Sequence, residues 1–325
     1  MLSFPHFYSS RILRLGCFLV VTSFCCFSVK LTTPWNHNLL AGKENNPSLQ
    51  RPLVKKNVSY PWVGDPTCQH FPVQFAANKS RLPWALTSFP GSGVTWTRQM
   101  VEGVTGIFTG TVYGSEEPGI IDGNYYGNKA EDYCGCTILI KDHGYPEFYP
   151  FLGNEGPYQG RAILLLRNPF DALFTFAHYR WSGNNQNGTV SFELFSGHEW
   201  DSFTMYVAFE WAEHAVRWIE TIKNGTVIFY ERLLEDTESE LRRLLRAINF
   251  IDPHHPPVHL ERMRCSLLHK NRSDRKRKQK STILLTEESH SKIMSSIQRV
   301  QRSLQKKGWP LLPLHLYHIP KYVSS

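Results

Sequence analysis

Three short polar segments, each directly following an apolar run, constrain this chain more than any other feature. Ser88-Phe89-Pro90-Gly91-Ser92-Gly93-Val94-Thr95-Trp96 follows Trp84-Ala85-Leu86, and Lys141-Asp142-His143 follows Thr137-Ile138-Leu139-Ile140. Arg167-Asn168-Pro169-Phe170-Asp171, with Thr175 beyond it, follows Ala162-Ile163-Leu164-Leu165-Leu166. Short continuous apolar runs are the pattern of strands buried on both faces, as in a parallel sheet covered by helices. The first polar segment opens a helix-like stretch, so its glycines let backbone N–H groups and a helix N-terminus face an anion. The third sets a guanidinium at a strand's carboxyl end, where ligands of open α/β sheets gather.

The rest of the chain continues the alternation. Thr226-Val227-Ile228-Phe229-Tyr230 reads as a fourth strand. Helical spacing of apolar residues predicts helices over Asp201–Lys223 and about Asp236–Ala247, and Thr286–Lys307 reads as a long surface helix. The expected fold is α/β, a central parallel sheet flanked by helices. At 325 residues with 41% apolar and 13% aromatic content, the chain has ample material for a core. No internal repeat is evident.

An uncharged apolar stretch from about Leu15 to Val29 is preceded by Arg11 and Arg14 and followed by Lys30. With Ile12, Leu13 and Leu31 included, it reaches the length of a membrane-spanning helix. A cleaved signal peptide is the alternative, but no small-x-small site follows the run. We read residues 1–11 as a cytosolic tail, 12–31 as a signal-anchor transmembrane helix, 32–83 as a polar, proline-scattered lumenal stem and 84–325 as the catalytic domain. Basic residues ahead of the span leave the N-terminus cytosolic and the rest lumenal. Lumenal placement makes the sequons at Asn57, Asn78, Asn187, Asn224 and Asn271 available for glycosylation. Past the anchor, Cys68, Cys134, Cys136 and Cys265 are an even set in a compartment that permits disulfides, and spacing does not give their pairing. The one-residue gap between Cys134 and Cys136 is too short for a zinc knuckle, and no metal is expected.

A net charge of +8 favours anionic partners without choosing among them. Six Lys or Arg residues between Arg272 and Lys280 read as a solvated loop. No aromatic residues interleave with them, so nucleic acid is not expected as a partner. The nucleoside-triphosphatase reading fails because Gly-x-x-x-x-Gly-Lys-Ser/Thr is absent. A hydrolase reading lacks both a defined carboxylate pair and a Gly-x-Ser-x-Gly elbow.

At these motifs the chain resembles the sulfotransferase superfamily, and most closely the sulfotransferase-like domain of the WSC-domain-containing (WSCD) family, over about Trp84 to Trp309. Ser88-Phe89-Pro90-Gly91, Thr95-Trp96, Arg98, Thr105-Gly106 and Thr109-Gly110 carry the resemblance to that family. Four lumenal cysteines cannot build WSC modules, so the expected layout is anchor, stem and catalytic domain. The resemblance implies a P-loop-like α/β sandwich using 3'-phosphoadenylyl sulfate (PAPS). Gly91, Ser92, Gly93, Val94 and Thr95 would hold its 5'-phosphosulfate, and Trp96 and Tyr230 would pack on the adenine. Arg167 and Thr175 would hold the 3'-phosphate, with Arg275, Lys276 and Arg277 closing over it. His143 resembles the catalytic base, with Lys141 two residues before it. Many cytosolic sulfotransferases carry a first-loop lysine where this chain has Gly91, so Lys141 or Arg98 would have to supply that charge.

The reading implied is a single-pass type II Golgi protein that moves a sulfuryl group from PAPS to a hydroxyl of a glycan or glycoprotein acceptor, with sialic acid the leading candidate. Two alternatives stand beside it: a non-catalytic relative binding nucleotide or glycan, and a sulfotransferase for protein tyrosine or small molecules. The sequence gives no oligomeric state.

Overall fold

The computed structural model describes residues 53–55, 58–114, 126–131, 133–144, 156–183, 188, 190–250, 260–270 and 285–323. All of them lie in one compact unit, Leu49–Ser325. In chain order the elements are β1 (Leu53–Lys55), β2 (Val58–Tyr60), β3 (Val73–Gln74), β4 (Ala85–Ser88) and α1 (Val94–Thr105). Then come β5 (Gly110–Thr111), β6 (Ile140–Lys141), β7 (Arg161–Leu166), α2 (Pro169–Trp181) and α3 (Gly197–Thr221). The chain continues through β8 (Asn224–Phe229), α4 (Tyr230–Glu235), α5 (Thr237–Ala247), α6 (Leu260–Leu268), β9 (Leu285–Thr286), α7 (Glu287–Lys307) and β10 (Tyr322–Val323).

Five strands form a parallel sheet in the order β5-β6-β4-β7-β8. Every residue of β7 is buried, and its alternation divides the core. Ala162, Leu164 and Leu166 face Phe170, Leu173, Trp211, Ala215 and Ile297 from α2, α3 and α7. Ile163 and Leu165 face Val94, Val101, Leu241 and Leu244 from α1 and α5. A strand covered on both sides must be apolar at consecutive positions, which is why 162–166 has no polar residue. From β4 the chain crosses first to β5 and β6 on one side and then to β7 on the other. The carboxyl end of β4 is therefore the switch point, where such sheets leave a crevice for ligands.

Local chemistry sets the helix boundaries. Gly93 at φ 90° precedes α1 and Gly106 at φ 70° follows it, both left-handed. Asn168 accepts from the Phe170 amide, and Pro169 fills the first position of α2. Asp236 caps α5 through the Ser239 amide, and Thr286 caps α7 through Ser289.

The structure differs from the sequence reading at several points. The run Thr137–Ile140 is buried, but only Ile140–Lys141 pairs as a strand. The helix over 287–307 is not a surface helix on all sides: Ile293, Ile297, Val300 and Leu304 are buried, and it packs along α3. Residues 58–83, expected as part of the stem, are instead folded onto the domain. Its strands β2 and β3 form an antiparallel sheet with β1, and a Cys68–Cys265 disulfide joins the segment to α6. Trp62 and Phe71 pack around that disulfide, and Arg262 donates to the Pro72 and Gly103 carbonyls. Small apolar clusters separated by polar residues give no periodic signal, so the attachment was invisible in the sequence.

The tail 1–11, the anchor 12–31, Asn57, Asn187, Asn271 and the basic residues Arg275, Lys276 and Arg277 lie outside the described residues. Among the described residues no helix is long and apolar enough to cross a membrane.

Candidate active site

Four strand ends, β4, β6, β7 and β8, bring the sequence-predicted residues to one edge of the sheet. The loop after β4 turns on Gly91 at φ 82° and Gly93 at φ 90°. Both glycines are required by packing as well as by φ. A Cβ on Gly91 would lie 2.7 Å from the Ala172 carbonyl oxygen, and one on Gly93 would lie 2.4 Å from the Tyr230 ring. Gly93 begins α1 and accepts from the Thr97 amide at 3.1 Å. Among the residues after it, Val94 and Trp96 are buried and Thr95 is half-buried.

The end of β7 reaches this loop through Arg167. Its Nη1 donates to the Gly91 carbonyl at 2.6 Å and to Thr175 Oγ1 at 3.2 Å. Its guanidinium lies 4.4 Å from the centre of the Tyr230 ring, and that ring meets Trp96 edge-on at 5.6 Å. Trp96 Nε1 donates at 2.8 Å to the carbonyl of Lys270, where the chain enters the basic segment. Gly91, Gly93, Trp96, Arg167, Thr175 and Tyr230 thus form one cluster, as their order in the sequence predicts. Two polar atoms within it, Ser92 Oγ and Arg167 Nε, are buried and have no hydrogen-bond partner. Buried polar groups are normally satisfied, so unused donors at a helix N-terminus are complementary to a bound oxyanion.

His143 sits at the end of β6 and is tied back to β4. Its Nδ1 lies 2.7 Å from the Ser88 carbonyl oxygen, which only accepts, so Nδ1 carries the hydrogen. The neutral ring therefore holds its lone pair on Nε2, the arrangement a general base needs. Burial, followed by the Lys141 ammonium, lowers the His143 pKa to about 3, so the ring is neutral at physiological pH. Lys141 is buried, with Nζ 5.4 Å from the centre of the Tyr113 ring, and the His143 amide donates to the Tyr113 hydroxyl.

Arg98, the other candidate cation, is fully buried and committed elsewhere. It donates to Thr109 Oγ1 at 2.7 Å, to the Thr109 carbonyl and to Asn128, joining α1 to the segments on either side of β5. That leaves Lys141 as the cation beside His143.

Several further residues support the site. Glu231, first after Tyr230, accepts from the Asn168 amide at 2.8 Å, while its Oε2 is buried without a partner. Burial raises its pKa to about 7 against the opposing effects of the Asn168 hydrogen bond and Arg167. Asn168 Nδ2 in turn donates to the His318 carbonyl, so the C-terminal segment braces the same turn. His214 on α3 lies 3.1 Å from Thr87 Oγ1, one residue before the Ser88 carbonyl that orients His143. Glu231 lies in the Tyr230-Glu231 phrase that resembles the family's strand-to-helix junction, whereas nothing in the local sequence marks His214 or His318.

Asp65, Cys68 and His269 also converge. Cys68 is bonded to Cys265, and the other two pair with each other at 2.8 Å, so the group is a structural clasp.

No protein-family model matches the chain. It is 31% identical over 219 residues to a WSCD family member of Aedes aegypti, covering 65% of this chain and 63% of that relative. It is 30% identical over 201 residues to a WSCD family member of Drosophila melanogaster, covering 60% and 57%. The match thus spans less than two thirds of these curated relatives. Among solved structures, mouse sulfotransferase SULT7A1 complexed with PAP aligns at 19% identity and a TM-score of 0.39, covering 61% of this chain and 65% of that one.

Proposed function

From a chain homologous to WSCD family members, we propose a PAPS-dependent sulfotransferase whose acceptor is a hydroxyl on a glycan, with sialic acid the leading candidate. One observation carries the reading: Arg167, Thr175 and the Gly91–Trp96 loop meet in a single cluster that retains unused buried donors. A guanidinium, a hydroxyl and a helix N-terminus are complementary to a nucleotide bearing a 3'-phosphate and a 5'-phosphosulfate. Trp96 and Tyr230 offer aromatic surface for an adenine, and Arg275, Lys276 and Arg277 are proposed to cover the 3'-phosphate.

When bound, PAPS supplies the sulfuryl group. In this reading His143 Nε2 accepts the acceptor hydroxyl's proton, while Nδ1–H stays on the Ser88 carbonyl and fixes the ring. Lys141 supplies the positive charge that stabilises the transferred group and the departing oxygen. The low pKa of His143 keeps it unprotonated, at the expense of basicity.

Gly91 favours a second reading, a non-catalytic binder, because the position has no room for the lysine of cytosolic sulfotransferases. Binding and turnover separate the two. Calorimetry with adenosine 3',5'-bisphosphate should show Arg167→Ala weakening binding by about 1.5–3 kcal/mol, the scale of a hydrogen bond to a charged group. Undiminished affinity in that variant removes the site assignment. Radiolabelled sulfate transfer from PAPS to a panel of sialylated and neutral glycans, tyrosine peptides and small hydroxylated molecules then tests catalysis. Binding without transfer to any of them leaves the binder.

We further propose a type II topology with the folded domain in the Golgi lumen. Two disulfides suit an oxidising compartment. Asn78 and Asn224 are exposed, as glycosylation requires.

A further inference from the structure

The two disulfides sit in opposite surroundings. Cys68 and Cys265 are wholly buried among Trp62 and Phe71, whereas Cys134 and Cys136 are each partly exposed. Cys68–Cys265 spans 197 residues of chain, and Cys134–Cys136 encloses only Gly135. The turn has unusual backbone: Gly135 inside the ring is at φ 63°, and Tyr133 just before it, a non-glycine residue, is at φ 58°. The turn is held from outside, since the carbonyls of Cys134, Gly135 and Cys136 accept from the amides of Lys79, Arg81 and Ala76. The Cys136 amide also points at Cys134 Sγ, at 3.1 Å. An N–H directed at a sulfur stabilises it as a thiolate, making Cys134 the better leaving group.

Tyr133 connects this turn to the proposed catalytic strand end. Its ring meets Tyr158 edge-on at 5.6 Å and is hydrogen-bonded to it, and the Tyr158 hydroxyl donates to Asp142 Oδ2 at 3.0 Å. Asp142 lies between Lys141 and His143, and its other oxygen accepts from the Gly144 amide.

We propose that Cys134–Cys136 is a thiol–disulfide exchange site, opened by dithiols while Cys68–Cys265 stays closed, and that opening it loosens the Lys141–Gly144 strand end through Tyr133, Tyr158 and Asp142. A dithiol's thiolate attacks Cys136 Sγ, and the sulfur–sulfur electron pair leaves with Cys134 Sγ, which the Cys136 N–H stabilises. The reagent's second thiolate then displaces Cys136 Sγ. The dithiol departs as a cyclic disulfide, and the chain, two electrons richer, takes up two protons as thiols. The exchange site stands on exposure and spacing alone, and its consequence for catalysis rests on the proposed role of His143.

The test uses the full chain. Any existing thiols are first blocked with iodoacetamide. The protein is then titrated with dithiothreitol, and newly exposed thiols are trapped with N-ethylmaleimide and mapped by peptide mass. Label should enter Cys134 and Cys136 at a dithiothreitol concentration at least about ten-fold below that needed for Cys68 and Cys265. Simultaneous labelling, or Cys68 and Cys265 first, overturns the exchange site. In the selectively reduced protein, amide hydrogen exchange over 138–144 should accelerate, and unchanged exchange there overturns the coupling. Adenosine 3',5'-bisphosphate binding measured on the unreduced sample reports separately on the sulfotransferase reading, so failure of one leaves the other standing.

Discussion

At the scale of single residues, the site opposes a cation and an acid across two neighbouring strand ends. Arg167 ties the first loop to Thr175, while Glu231 holds the Asn168 amide beside it. Burial of the Glu231 carboxyl raises its pKa from the ordinary 4.5 to about 7, so in that window the folded chain keeps a proton that the unfolded chain loses. Stability linked to the protonated carboxyl is therefore full below pH 4.5 and is lost as pH rises to about 7. Glu231→Gln keeps an oxygen for the Asn168 amide and does not titrate. Denaturant unfolding across pH should show the variant gaining on wild type from pH 4.5 to 7 and levelling above. Parallel curves would contradict the assignment. His143 gives the second prediction at this scale. His143→Ala should leave adenosine 3',5'-bisphosphate affinity nearly intact while turnover falls by roughly 10²–10⁴-fold, the usual contribution of a positioned base. Equal losses of binding and turnover would make the ring structural instead.

At the scale of elements, the loop between β4 and α1 explains why glycine stands at position 91. The loop lies so close to α2 that a side chain there would strike the Ala172 carbonyl and the Phe176 amide, at 2.7 and 3.1 Å. The position also holds φ 82°, a left-handed conformation costing a non-glycine residue of order 1–3 kcal/mol. Gly91→Lys should accordingly lower the melting temperature and should not raise sulfate transfer, although it recreates the lysine of cytosolic sulfotransferases. Thermal unfolding and the transfer assay check both halves. A stable, more active variant would mean that the loop can move away from α2. The same proximity lets the Gly91 carbonyl reach Arg167, so the backbone that excludes a lysine also positions the guanidinium.

At the scale of the whole molecule, the folded unit begins well before the first sheet strand of the site. Residues 58–83 are joined to α6 by the Cys68–Cys265 disulfide, which suits an oxidising compartment, and to the residue after it by the Asp65–His269 pair. Asn78, on that attached segment, and Asn224, at the start of the outer strand β8, are exposed. If the domain is lumenal, endoglycosidase treatment of the protein from cells should increase its gel mobility, and Asn78→Gln with Asn224→Gln should reduce the shift. A wild-type band that does not move would place the domain on the other side of the membrane or outside the secretory route.

The sequence by itself determined the main strands of the sheet and the turns that follow them. Doubly covered strands carry apolar runs, and phosphate-binding turns need glycine, so the runs 84–86, 162–166 and 226–230 and the turns after them were legible locally, whereas the short strand β5 was not. Tertiary structure decided everything that depends on distant neighbours. Arg98 is a cation in the sequence, and only the buried Thr109 and Asn128 make it structural. Glu231 and His214 owe their places to strand ends and helices brought together by folding. The pairing of four cysteines, one pair two residues apart and one 197 apart, likewise follows from folding, which brings α6 to Cys68. Local pattern records what each residue's own element requires. Hydrogen bonds, burial and disulfides depend on through-space contacts, and those exist only once the chain has closed on itself.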